Sequence, residues 1–281
     1  MHIFKTISQL SDFRFHQARS SKQFGFIPTM GALHQGHASL VKRSVEENDL
    51  TIVSIFVNPT QFNESEDYTN YPRTEETDIQ LLETIKPDVL FMPSADEMYQ
   101  SGEELFNINL KGLDTVMEGK YREGHFQGVV TIVSKFFDII RPNRAYFGLK
   151  DFQQLTIIKH LAEQVYPEMQ IVPCAIIREN DGLAMSSRNQ RLTETDREHS
   201  VLLSKTLFYL ESNWRKMPFK DLLDSAKKML SNSEINLEYL EVVDVQSLDV
   251  QHDYADIEMV ACLAARVGKV RLIDNILLPL S

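Results

Sequence analysis

His34 and His37 stand three residues apart around Gly36, just after an apolar run that stops at Pro28. On a forming helix that spacing puts both imidazoles on one face, aimed at one place. A strand, a glycine-containing turn and a helix start together offer backbone N–H groups and a positive dipole end to a phosphate. Two other readings compete with this one, an ordinary surface helix start and a pair of metal ligands. Two histidines alone make a poor metal site, and no cysteine or carboxylate lies within ligand spacing of them. Lys150 and Asp151 are a second candidate, following Gly148 at the end of another apolar run. There the lysine can reach a phosphate and Asp151 can cap the next helix; a solvated ion pair is the plain alternative. Ser186, Ser187 and Arg188 bring two hydroxyls and a guanidinium, donors suited to a triphosphate, in what otherwise reads as a common loop.

These residues need a frame to bring them together. Strand patterns fall at 23–27, 50–57, 88–92, 144–147 and 170–177, and helical patterns at about 37–47, 74–85, 127–140 and 151–165. Their alternation predicts an α/β fold built on a doubly wound parallel sheet, with ligands at the carboxyl ends of the strands. The candidate residues mostly follow such strands. After Arg178 the texture changes. Thr193 and Asp196 suggest a capping box opening a helix through Trp214. A second helix near 218–231 and strands at 237–245, 258–267 and 270–277 follow. The expectation is a larger domain over 1–177 and a smaller α+β lid domain over 178–281, with Met185 to Asn189 at the hinge or on the lid. The 129–140 helix is apolar nearly all round, so it must be buried on more than one side. Its further side should meet a neighbouring element or a second subunit, and the expectation is a homodimer built on the first domain.

Composition narrows the classes. The chain has 281 residues, 43% hydrophobic and 25% charged, with a net charge of −11. That size suits two domains with a sizeable core. The acidic balance argues against extended nucleic-acid binding, which needs basic surface. No apolar run approaches a membrane span, and Met1 to Leu10 lacks the features of a signal peptide. Cys174 and Cys262 sit in apolar runs and suggest no disulfide framework, which fits a cytoplasmic setting.

Six blocks in order resemble the pantothenate synthetase family: His34 to His37, Val57 to Phe62, Tyr71 to Thr74, Gly124 to Val129, Phe147 to Gln154 and Asp181 to Asn189. These are pantoate–β-alanine ligases of the nucleotidylyltransferase superfamily, which feed coenzyme A biosynthesis and whose phosphate motif is His-x-Gly-His. The resemblance implies a Rossmann-like first domain and an ATP site made of Met30, Gly31, Ala32, Leu33, His34, Gln35, Gly36 and His37. It adds Gly148, Leu149, Lys150 and Asp151, the backbone of Ile177, and Met185, Ser186, Ser187 and Arg188. Gln61 and Gln154 match pantoate-binding positions, and Met30, Phe62 and Phe126 offer apolar walls for its gem-dimethyl group. The implied reaction is attack of the pantoate carboxylate on ATP, then aminolysis of the pantoyl adenylate by β-alanine. Mg²⁺ with His34, His37, Lys150 and Arg188 would neutralise charge; the metal ligands are not implied. The family usually has a polar residue where Leu149 stands and commonly a proline at Glu123. His125 would close the pocket or cap its helix, Arg122 is a lesser cation, and the acidic segment Asn63 to Asp67 is a solvated loop or a gate. A nucleotidyltransferase that stops at the first step, and an inactive nucleotide-binding relative, are the alternatives.

Overall fold

The computed structural model describes residues 1–18, 21–63, 65–100, 102–231 and 234–280, so Glu64 of the acidic segment lies outside the described residues. Six strands form one sheet: β1 (His2–Phe4), β2 (Phe24–Thr29), β3 (Leu50–Ile55), β4 (Val89–Phe91), β5 (Arg144–Gly148) and β6 (Gln170–Cys174). Their order is β1-β4-β3-β2-β5-β6, and every pairing is parallel. In chain order the helices are α1 (Ile7–Ala18), α2 (Gln35–Glu47), α3 (Ser65–Thr69), α4 (Glu75–Ile85), α5 (Ala95–Met98), α6 (Met117–Tyr121), α7 (His125–Ile140), α8 (Phe152–Val165), α9 (Glu194–Ser212) and α10 (Phe219–Met229). Among the described residues no helix is long and apolar enough to cross a membrane.

The strands are apolar because helices cover both faces of the sheet. Phe26, Ile52, Phe91 and Phe147 pack toward α7 and α8, while Ile27, Val53, Leu90 and Tyr146 pack toward α2 and α4. From β2 the sheet grows through β3 and β4 on one side and through β5 and β6 on the other. The carboxyl ends of β2 and β5 therefore flank the point where the winding reverses, which is where such sheets bind ligands.

The expected strands and helices are present, with differences at their ends. The second and last of the expected strands stop at Ile55 and Cys174, short of 57 and 177. β1 and α1 are additions: β1 is a three-residue edge strand, and α1 packs on α7. α7 is buried almost all round, as its composition requires, but its neighbours are α1, α8, the sheet and the 59–61 turn of the same chain. The second subunit inferred from its apolar faces is therefore not needed to cover them.

The remaining strands, β7 (Ile235–Asp244), β8 (Met259–Val267) and β9 (Val270–Leu278), form an antiparallel sheet in that order. β8 is buried on both faces. Val260, Cys262 and Ala264 join the core of the parallel-sheet half, while Met259, Ala261, Leu263 and Ala265 pack under α9 and α10. α9 begins as expected, with the Thr193 hydroxyl accepting from the Asp196 N–H at 3.1 Å.

Where α7 crosses the 59–61 turn, a Cβ on Gly128 would stand 2.3 Å from the Thr60 carbonyl oxygen and 2.9 Å from the Gln61 nitrogen. Backbone cannot swing aside as a side chain can. Gly128→Ala should lower stability by about 1–3 kcal/mol through overpacking, although alanine is the better helix former. The urea midpoint should fall at constant m; an unchanged or higher midpoint would contradict so close a crossing.

Candidate active site

After β2 the chain turns through Gly31 at φ 82° and Ala32 at φ 48°, both left-handed. The N–H groups of Ala32 and Leu33 donate to the buried Asp78 carboxylate of α4, at 2.9 and 2.7 Å. Those amides are thus taken by the protein itself rather than presented to a phosphate. Gly31, Ala32, Leu33 and Gln35 stay out of the wall of the cleft, whereas Met30, His34, Gly36 and His37 line it.

The two histidines cap α2 with their rings. His34 Nδ1 accepts from the Gly36 N–H at 3.1 Å, and His37 Nδ1 accepts from the His34 N–H at 3.3 Å. The ring centroids lie 4.1 Å apart. A Cβ on Gly36 would meet the His34 ring at 2.8 Å, so glycine lets the ring lie flat on the turn. A nitrogen that accepts carries no hydrogen, so each neutral ring holds its hydrogen on Nε2. Burial, then the charge of Lys150, lowers the His34 pKa to about 4. Burial, then His34 and Lys150, lowers that of His37 to about 3. Near neutral pH both are uncharged N–H donors, not the charge neutralisers that their residue type suggested.

Gly148 and Lys150 reach the cleft from the end of β5. Asp151 makes no side-chain cap to α8, contrary to expectation; it lies half-exposed with an oxygen 3.8 Å from Lys150 Nζ. Leu149 packs against the core instead of lining the cleft, which accounts for an apolar residue at that position. Ile177 lies beyond the end of β6, and its carbonyl accepts from the Met185 N–H at 2.9 Å. That bond folds Met185, Ser186, Ser187 and Arg188 back over the site. Ser187 Oγ donates to the Ala32 carbonyl at 3.0 Å, while Ser186 Oγ accepts from the Arg188 N–H at 3.3 Å. Arg188 pairs with Asp67 at 3.0 Å, and its guanidinium carbon lies 5.7 Å from the centre of the Tyr71 ring. The Asn63 to Asp67 segment therefore touches the site through Asp67 and is not simply a solvated loop.

Gln61 is buried on the short 59–61 turn. Its amide nitrogen donates to Met30 Sδ at 2.8 Å, and its amide oxygen accepts from Asn58 Nδ2 at 3.2 Å. The adjacent glutamines of α8 divide their work. Gln154 lines the cleft, whereas Gln153 locks the Leu113 and Val116 carbonyls and the Glu118 N–H. His125 does not cap α7. Burial, then Arg122, lowers its pKa to about 3, and its Nδ1–H donates to the Gln61 carbonyl at 2.7 Å, leaving Nε2 as an acceptor. Arg122 lines the cleft as well, its pKa lowered to about 10 chiefly by burial. Phe62 is in the wall, but Phe126 lines only a side chamber of about 40 Å³ behind it.

The cleft, about 230 Å³, thus gathers His34, His37, Lys150 and Arg188 from three separate segments, and Gln61, Gln154 and Met30 share its wall. His2, His16, His160, His199 and His252 lie outside it. Sequence reasoning missed Asp78, and it took in Asn58, Asp67 and Tyr71 only within longer segments without giving them roles.

Comparison with known proteins gives this arrangement relatives. The model of the pantoate-beta-alanine ligase family matches residues 2–277. A pantothenate synthetase of Bacteroides thetaiotaomicron is 45% identical over 282 residues, covering 98% of both chains. One from Acetivibrio thermocellus is 42% identical, covering 99% of each. Among solved structures, the Thermus thermophilus pantothenate synthetase superposes with a TM-score of 0.92 at 35% identity, covering 98% of this chain and 99% of that one. A Francisella tularensis pantoate-beta-alanine ligase, described as complexed with beta-gamma ATP and beta-alanine, gives 0.82 at 37% identity over the whole of both chains. Matched along nearly its full length by the family model, by relatives and by solved folds, the chain belongs to the pantoate–β-alanine ligase family.

Proposed function

We propose that this enzyme joins pantoate to β-alanine at the expense of ATP, and that the residues gathered in the cleft carry out the chemistry. The observation that carries the reading is the convergence of two neutral imidazole donors, Lys150 and Arg188 on one cleft with two amide side chains. In the first step a pantoate carboxylate oxygen bonds to the α-phosphorus of ATP as the bond to the bridging oxygen breaks and pyrophosphate departs. In the second the amine of β-alanine attacks the acyl carbon of the pantoyl adenylate. The bond to AMP breaks, the ammonium proton is released and the amide forms.

A carboxylate attacking a polyphosphate needs alignment and charge stabilisation more than a strong base. The Nε2–H groups of His34 and His37 donate to phosphate oxygens, and Lys150 and Arg188 supply positive charge. Gln61 and Gln154 hold the pantoate hydroxyls and carboxylate, with Met30 and Phe62 against its methyl groups. The backbone at Ile177 holds the adenine, and the segment from Met185 to Ser187 lies with Arg188 along the triphosphate. Mg²⁺ belongs to the proposal as a companion of the ATP phosphates. Among the described residues there is no group of three or more metal-ligating side chains to cage it without them, and magnesium is commonly held largely by substrate phosphates. The boundary near 177/178, the cytoplasmic setting and assembly as a homodimer are parts of the same proposal. Because the inner face of the second sheet shares the main core, closure over the ligands would come from the 178–191 segment rather than from a swing of the whole lid.

The test is pantoate-dependent exchange of labelled pyrophosphate into ATP without β-alanine, expected because the first step reverses on its own. Exchange that needs β-alanine would remove the free adenylate from the scheme. In the same assay His37→Ala and Lys150→Ala should each slow exchange by about 10²–10³, the scale of losing one preorganised donor. Melting should change little for Lys150→Ala, whereas His37→Ala also loses its cap on the His34 N–H, worth about 0.5–2 kcal/mol. Near-wild-type exchange by either variant takes that residue out of the catalytic set.

The protonation states have a measurable consequence. The folded pKa values of His34 and His37, about 4 and about 3, lie below the ordinary value near 6.5. The unfolded chain therefore binds more protons between those values. The stability from keeping these rings neutral is complete above about pH 6.5 and is lost as pH falls toward about 4 for His34 and about 3 for His37, with a slope of up to about 1.4 kcal/mol per pH unit for each ring. ¹⁵N NMR at pH 6 should show the Nε2–H tautomer for His34 and His37 and Nδ1–H for His125. Charged imidazolium signals from the first two would contradict this account.

A further inference from the structure

Among the described residues no backbone hydrogen bond joins the segment that carries Lys150 to the one that carries Arg188, yet both are assigned to one ligand. Side chains of β9 bond to the Lys150 segment and to the base of the hairpin that carries Arg188. Asn275 is buried, and its Nδ2 donates to two successive carbonyls, Leu149 and Lys150, each at 2.9 Å. Both amide hydrogens are therefore spent on the peptide that carries the lysine. Its neighbour Asp274, also buried, takes Arg178 in a two-pronged ion pair, with Nη1 to Oδ2 at 2.6 Å and Nη2 to Oδ1 at 3.1 Å. Arg178 in turn donates to the Gly182 carbonyl at 3.2 Å. This closes the small hairpin in which Arg178 pairs with Ala184, and that hairpin presents Met185 to Arg188 to the cleft. The Asn275 carbonyl accepts from Arg178 Nη2 as well, at 3.4 Å.

We infer that Asp274 and Asn275 are positioning residues that hold the Lys150 loop and the Arg188 hairpin in one fixed relation. Neither lies in the wall of the main cleft, so neither needs to touch a ligand there. The inference rests on the reading of Lys150 and Arg188 as phosphate-facing cations. Its physical basis is that transition-state charge stabilisation requires donors placed beforehand, and a displacement of about 1 Å can cost about a hundredfold in rate.

Asn275→Asp keeps the shape but replaces the donor by acceptor oxygens facing two carbonyls. It should slow maximal pyrophosphate exchange by about 10–100-fold while the KM for pantoate moves less than threefold. Asp274→Asn keeps an acceptor for Arg178 but removes the charge; it should act in the same direction and serves if the first variant does not fold. Assays run well below each variant's melting temperature separate misplacement from instability. If maximal exchange is normal there, the role is only structural and the proposal fails. The double variant with Lys150→Ala decides whether Asn275 acts through the lysine. Adding Asn275→Asp should then cost almost nothing, whereas a further full loss would overturn the proposed route. If Lys150→Ala alone leaves exchange intact, it is the reading of the lysine that falls, and the two failures are told apart.

Discussion

Asp78, buried in the first turn of α4, accepts from the amides of Ala32 and Leu33 and from the Thr74 hydroxyl. It holds the left-handed turn at Gly31 and Ala32 in place and neutralises two N–H groups that would otherwise be buried without partners, each at a cost of about 1–3 kcal/mol. The consequences run on through the site. With Ala32 fixed, its carbonyl receives the Ser187 hydroxyl, which anchors the hairpin carrying Arg188. With Leu33 fixed, α2 starts at a set angle, and His34 and His37 can close their reciprocal cap. The sheet supplies the crevice, but this carboxylate decides which atoms face into it.

Much of the frame was legible because parallel strands covered on both faces read as short apolar runs. β1 was not, since three residues beginning with a histidine at a sheet edge give no periodicity. α7 shows a different limit. Its composition correctly demanded burial on several sides, but a sequence does not say which neighbours do the burying, and here α1 and α8 are among them. In the site, His34, His37, Lys150 and Arg188 were legible because they sit in short blocks with recognisable order. Asp78, Asn58 and Asn275 were not. Beside local bonds to Thr74 and Gln61, the contacts that give them their place lie 45 to 126 residues away for Asp78 and Asn275, and 70 residues away where Asn58 holds the Gly128 carbonyl. Such partners leave no spacing to read.

The antiparallel sheet is closely tied to the larger half. Alternate residues of β8 belong to two cores, one shared with α7 and α8 and one with α9 and α10. Glu118 of α6 adds a charged tie, accepting from Arg271 Nη1 and Nη2 at 2.6 and 2.7 Å and from the Tyr239 hydroxyl at 2.8 Å. A sheet fastened by packing and by a buried ion pair has little freedom to hinge as a body, and motion is left to the shorter segments at the rim.

The rings of His34, His37 and His125 link the protonation of the cleft to its shape. All three resist charging, chiefly through burial, with Lys150 or Arg122 adding to it. A second proton on His34 or His37 would have to go on Nδ1, the atom that accepts the Gly36 or His34 N–H, so charging either ring and keeping the cap of α2 exclude each other. His125, with its Nδ1–H held by a backbone carbonyl, is tied to the opposite tautomer. Acid is therefore expected to loosen the turn that faces the ligand at the same time as it weakens the fold, so the two losses share one cause.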